Sequence, residues 1–144
     1  MKKQRGFTLI EIMVVVVIIG LLATLVLPRV LGRQDQAMIA KAKVDIQALS
    51  SALKLYKLDN FNYPSTSQGL ESLIKNPGGD PPAKNWKKGG YVERLPADPW
   101  GNPYQYLSPG EKMEFDIWSY GADGRTGGDG TSAEIANWNL DERS

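Results

Sequence analysis

The stretch FTLIEIMVVVVIIGLLATLVL occupies residues 7–27, directly behind the leader MKKQRG at residues 1–6. At about 1.5 Å per residue this run makes a helix of roughly 31 Å, against a bilayer hydrocarbon core of about 30 Å. It therefore predicts a helix that can cross a membrane. Glu11 is the one charged residue in it. An ionised carboxylate at the centre of a membrane helix costs about 2.5 to 3.5 kcal/mol on insertion scales, so Glu11 needs either a partner or a shallow position near the interface.

Working outward to the N-terminal side, Lys2, Lys3 and Arg5 make the leader basic, as in secretory signals and signal anchors. A removable signal peptide has a short apolar core followed by a small-x-small cleavage site, whereas this run is long and continues LPRVLG. A signal anchor fits the length, with the leader held cytoplasmic by its positive charge. Arg29, Arg33, Lys41 and Lys43 on the far flank weaken that charge asymmetry, and an ordinary anchor leaves Glu11 without a role.

On the C-terminal side, Pro28 and Gly32 predict bending of a helix that continues. Ile39, Ala42, Ile46, Leu49, Leu53 and Tyr56 then recur every three or four residues, which is one face of an amphipathic helix over residues 34–58. Lys41 and Asp45 have the spacing of an i,i+4 ion pair. Residues 7–58 thus read as one long helix, its first half apolar on all sides and its second half the spine of a small domain.

Beyond the spine, Ser65 and Gln68 have capping-box spacing and predict a short second helix over residues 67–75, closed by the Pro/Gly run 77–82. Residues 93–103 form a proline-spaced turn segment with Trp100 set against the core. Residues 104–107 and 115–120 have strand composition and predict an antiparallel pair joined through residues 108–111, with a third strand at residues 137–140.

Composition narrows the function. With no cysteine and no histidine among 144 residues, a Cys nucleophile, a His general base, a disulfide framework and Cys/His zinc sites are all excluded. The formal net charge of +1 offers no basic face for nucleic acid. Among the carboxylates, the loop at residues 123–134, DGRTGGDGTSAE, has the chemistry of a hard-cation site, because calcium takes six to eight oxygen ligands from flexible loops. Asp123, Gly128 and Glu134 graze the EF-hand spacing, but Arg125 at its third position and a strand ahead of the loop argue against that motif.

The string Lys3-Gln4-Arg5-Gly6-Phe7-Thr8-Leu9-Ile10-Glu11-Ile12-Met13-Val14 resembles the type III signal of type IV pilins and pseudopilins. The resemblance implies cleavage by a prepilin peptidase between Gly6 and Phe7 and N-methylation of Phe7. It also gives Glu11 a partner, the cationic Phe7 amine of a neighbouring subunit, which sets register in a filament. Further along, Tyr63-Pro64, Gln68-Gly69-Leu70-Glu71, Leu95-Pro96-Ala97-Asp98-Pro99-Trp100-Gly101-Asn102-Pro103, Ser119-Tyr120-Gly121-Ala122-Asp123-Gly124 and Asn137-Trp138 are similar to the major pseudopilins of type II secretion systems.

That resemblance implies an α+β pilin-like fold: one long N-terminal helix packed on a small antiparallel sheet, with a short second helix and a C-terminal acidic loop. It divides the chain into a leader at 1–6, a transmembrane and assembly segment at 7–33, and a periplasmic domain at 34–144. The implied function is structural and not enzymatic, the principal subunit of a pseudopilus anchored in the inner membrane before assembly. Its implied partners are further copies of itself, minor pseudopilins, the prepilin peptidase and the inner-membrane assembly platform. The resemblance also implies structural calcium in place of a disulfide. Asp123 falls on the family's first acidic ligand, and Asp129 and Glu134 substitute for aspartates that related loops carry near their end, with Ser132 and backbone carbonyls to complete the set. Two rivals stand beside this reading: a type IV pilin or minor pseudopilin, and a membrane-tethered hydrolase using Asp98, Asp123 or Glu134 as acid and base.

Overall fold

The computed structural model describes residues 6–142, with backbone alone at residues 25–31; leader residues 1–5 lie outside the description. Leu9–Asn60 is a single α-helix, α1, two residues longer at its C-terminal end than the apolar periodicity predicts. It passes Pro28 and Gly32 without a stop. Glu11 in the first turn and Lys57 in the last complement the helix dipole.

The chain divides into two units, Met1–Gln36 and Ala37–Ser144. In the first, every described side chain is exposed, the aliphatic ones included. Among the described residues no helix is long and apolar enough to cross a membrane. Residues 25–27, which complete the apolar run, fall outside that statement.

In the second unit the expected stripe faces inward: Ala42, Ile46, Leu49, Leu53 and Tyr56 are buried, with Ile39 packed against them. Leu73, Tyr104, Phe115, Ile117 and Ile135 complete the core from the other elements. Each large aliphatic buried in this way contributes about 1.5 to 3 kcal/mol relative to exposure. The predicted Lys41–Asp45 ion pair forms on the rim, where Asp45 also accepts the Tyr104 hydroxyl at 2.9 Å.

Three strands make the sheet: β1 at Gln105–Leu107, β2 at Asp116–Ser119 and β3 at Ile135–Ala136, antiparallel in the order β1-β2-β3. The first two lie inside the predicted ranges. The third does not lie at residues 137–140. There, Asn139 accepts the Ala136 N–H through Oδ1 at 2.8 Å and donates its own N–H back to the Ala136 carbonyl at 3.2 Å, which turns the chain. Asn137 carries the ladder one step further with its side chain. Its Oδ1 accepts the Ile117 N–H at 3.1 Å and its Nδ2 donates to the Phe115 carbonyl at 2.8 Å.

The second helix shrinks to a 3-10 turn at Leu70–Leu73. The capping box itself forms, with the Ser65 N–H on Gln68 Oε1 at 2.9 Å and the Gln68 N–H on Ser65 Oγ at 3.3 Å. Gly69 then takes φ 65°, a left-handed conformation that breaks the helix before it can propagate. Between β1 and β2, the buried Asp116 carboxylate organises the connection by accepting the N–H groups of Glu111, Lys112 and Met113 at 2.7, 3.1 and 3.0 Å.

Candidate functional site

Gly6 and Phe7 precede α1 and are exposed, so the expected scissile bond lies in accessible chain ahead of the helix. Glu11 sits one turn further on. Its N–H donates to Thr8 Oγ1 at 3.3 Å, and its Oε2 accepts the Thr8 N–H at 3.5 Å. Thr8 and Glu11 are therefore a reciprocal capping box at the start of α1. The signal for it was present as Thr-x-x-Glu ahead of an apolar run, and reading Glu11 only as a membrane defect misses it. Within a single subunit the carboxylate already has a local donor.

The acidic loop is held by its own backbone. Ala122 N–H donates to the Thr131 carbonyl at 2.8 Å, closing the loop at its base. A Cβ at Gly121 would lie 2.7 Å from the Thr131 oxygen, and one at Gly128 would lie 2.5 Å from the Ser132 oxygen, so glycine is required where the two sides approach. Asp123 and Asp129 are exposed; Ser132 and Glu134 are half-buried. Asp123 Oδ1 accepts the Arg125 N–H at 3.1 Å, and Glu134 Oε1 accepts the Gly127 N–H at 3.2 Å. Gly130–Ser132 forms a second 3-10 turn, with Asp129 ahead of it making no side-chain cap. Among the described residues no three carboxylates gather into a group that could hold a metal ion.

Asp98 is not disposed as a catalytic acid or base. It is buried, its Oδ1 accepts the N–H groups of Trp100 and Asn102 at 3.1 and 2.7 Å, and its Oδ2 accepts the Ser119 hydroxyl at 2.6 Å. Those bonds fix the turn segment 97–103 onto β2, with Trp100 half-buried against the core as expected. The three carboxylates of the hydrolase reading thus each have partners of their own.

A long N-terminal helix, apolar and exposed at its start and packed at its end onto a three-stranded antiparallel sheet, defines a pilin-like subunit. The family model for the prokaryotic N-terminal methylation motif matches residues 1–27, and that for type II secretion system protein G matches residues 29–138. The chain belongs to the type II secretion system protein G family. It is 62% identical over 137 residues to the type II secretion system core protein G of Pseudomonas aeruginosa, covering 95% of this chain and 96% of that one. Against the Vibrio cholerae protein of the same description the identity is 56% over 142 residues, with coverage of 99% and 97%. The crystal structure of the major pseudopilin from the type 2 secretion system of enterohaemorrhagic Escherichia coli superposes with a TM-score of 0.67 at 42% identity, covering 76% of this chain and 93% of that one.

Proposed function

We propose that this chain is the principal structural subunit of the type II secretion pseudopilus, waiting as a single-pass protein of the inner membrane with its domain in the periplasm. The observation that carries the reading is the union, in one chain, of a methylation-type N-terminus with a protein G domain on a pilin-like fold. A prepilin peptidase would cut between Gly6 and Phe7. The new amine then lies one helical turn from Glu11, and opposite charges attract far more strongly in an apolar setting than in water.

Glu11 works in two stages. In the subunit alone, the Thr8 capping box satisfies its carboxylate and keeps the first turn of α1 formed. In the filament, the Phe7 amine of a neighbour replaces the weaker Thr8 donor and fixes register, a recognised use of a buried ionic group. Head-to-tail contacts that do not close a ring give a helical polymer, whose growth moves folded cargo toward the outer membrane. Minor pseudopilins and the inner-membrane assembly platform are the further partners of this scheme.

Calcium in the loop 123–134 belongs to the same proposal. It is supported by the hard-oxygen donor set and by the closed base of the loop at Ala122 and Thr131. Asp123, Asp129 and Glu134 are the candidate ligands, with Ser132 in addition.

Paired substitutions test the assembly role of Glu11 in a secreting strain. Glu11→Ala removes both the cap and the charge, whereas Glu11→Gln keeps a cap acceptor and loses the charge. Loss of pseudopili and secretion in both is expected; unchanged pseudopilus assembly and secretion in Glu11→Gln contradicts the ionic role.

A further inference from the structure

The acidic loop holds both Asp-Gly pairs of the chain, Asp123-Gly124 and Asp129-Gly130. An aspartate followed by glycine is open to one intramolecular reaction, because glycine has no side chain to shield its nitrogen or to restrict the turning of the peptide. In that reaction the glycine nitrogen bonds to the aspartate Cγ. The carboxyl, in its acid form, gives up its OH, which leaves as water with the amide hydrogen, and a succinimide ring remains. Water then opens the ring. Attack at Cγ restores aspartate, whereas attack at the former backbone carbonyl gives isoaspartate, whose main chain runs through the side-chain carbons. The net change is an isomerisation, with one water lost and one regained and no oxidant or reductant involved.

Both aspartates are exposed, yet the fold holds them differently. At the first pair both reacting groups are occupied. The Gly124 N–H donates to the Gly121 carbonyl at 3.3 Å, and Asp123 Oδ1 accepts the Arg125 N–H at 3.1 Å. Asn102 also closes in, its Nδ2 3.7 Å from where a Gly124 Cβ would stand. At the second pair, among the described residues, the Gly130 N–H has no acceptor and the Asp129 carboxylate has no donor. Nothing lies within 4 Å of the position of a Gly130 Cβ, so the peptide unit has room to turn from the Asp129 ψ of 156° toward the side chain. One bond opposes that turn, from the Ser132 N–H to the Asp129 carbonyl at 3.1 Å.

We propose that Asp129-Gly130 is a site of spontaneous isomerisation to isoaspartate in the native chain, and that the fold protects Asp123-Gly124 from the same reaction. Two hydrogen bonds must open at the protected pair and one at the other, and a hydrogen bond of ordinary net strength is worth a factor of about five in an equilibrium. The Asp129 site therefore gains about fivefold over the Asp123 site from the fold. The product carries an extra methylene in the main chain of a loop whose sides meet too closely at Gly121 and Gly128 for a side chain to intervene. It also moves the carboxylate of a candidate calcium ligand. The modification thus falls on the segment that closes the C-terminal region.

Trypsin separates the two sites for measurement, since Arg125 lies between them. Full-length chain in detergent is incubated at neutral pH well below its melting temperature, with chelator present so that the result is independent of the calcium reading, and is then digested. Isoaspartate in each peptide is counted by enzymatic methyl transfer to its carboxyl and placed by fragmentation mass spectrometry. A synthetic peptide of residues 118–136, too short to fold around either pair, gives the intrinsic ratio of the two sites under the same conditions. The ratio of isoaspartate at residue 129 to that at residue 123 is expected to be about five times larger in the native chain than in the peptide. A ratio in the chain no larger than that in the peptide, or no product at residue 129 while the peptide reacts, overturns the proposal.

Discussion

The Asp98 carboxylate and the Ser119 hydroxyl meet at 2.6 Å, both buried, and so join the proline-rich turn segment to the central strand. Counting the amides of Trp100 and Asn102, three donors converge on one side chain from two parts of the chain. Asp98→Ala would leave those donors facing a void, and hydrogen bonds to a charged group that are lost in this way predict destabilisation by about 3 kcal/mol. Urea unfolding of a fragment beginning at residue 34 measures it; a change near zero would mean that the segment is held by other contacts.

Asn137 predicts a smaller and more local effect. Its side chain makes the two ladder bonds to Ile117 and Phe115 that a strand backbone would otherwise make. Asn137→Ala is expected to destabilise the fragment by about 1 to 2 kcal/mol and to speed exchange at the Ile117 amide. Unchanged protection of that amide would show that its bond to Asn137 is dispensable.

The pair Glu114 and Tyr63 gives stability a dependence on pH at both ends. The hydrogen bond from Lys57 and that from Tyr63 hold the Glu114 carboxyl below its ordinary value of 4.5. A depressed carboxyl stabilises the fold above that value and ceases to do so as pH falls below it through the folded-state value. Burial, reinforced by the Glu114 hydrogen bond, pushes the Tyr63 hydroxyl from 10.0 up to about 12. A raised phenol stabilises below pH 10 and loses its contribution as pH climbs from 10 to about 12. Tyr63→Phe should flatten the alkaline limb of unfolding free energy against pH, and Lys57→Met the acid limb. Limbs identical to those of the parent chain would refute the assignment.

Calcium predicts a ligand-dependent melting temperature. A ligand bound only by the native state stabilises it by about 2.7 kcal/mol at about one hundred times its Kd, which for a domain of this size is a rise of several degrees. Chelator should reverse the rise, and Asp123→Asn should abolish it. A melting temperature indifferent to both calcium and chelator would remove the ion from the account.

The spine was readable from residues 39–56 because burial on one side of a helix imposes a period that composition displays directly. The ends of elements were less so, because single side chains decide them. Gly69 cuts the second helix to one 3-10 turn, and Asn139 turns the chain where residues 137–140 looked extended. The buried carboxylates Asp98 and Asp116 were hidden for the same reason. An aspartate beside proline and tryptophan, or at the start of an apolar strand, identifies itself as structural only when its distant or local donors are in place. The capping box at Thr8 and Glu11 is legible in the Thr-x-x-Glu spacing ahead of an apolar run, although the same carboxylate also reads as a charge inside a membrane helix. In the acidic loop, spacing identifies candidate ligands without saying whether the backbone brings them together, since closure depends on Gly121 and Gly128 meeting the opposite side of the loop.

Processing at Gly6 and Phe7 can be read by intact mass spectrometry of the chain extracted from envelopes of a strain with an active prepilin peptidase. A pseudopilus subunit is expected to give a polypeptide that begins at Phe7 and carries one N-methyl group. A chain that retains Met1 to Gly6, while still supporting secretion, would contradict it.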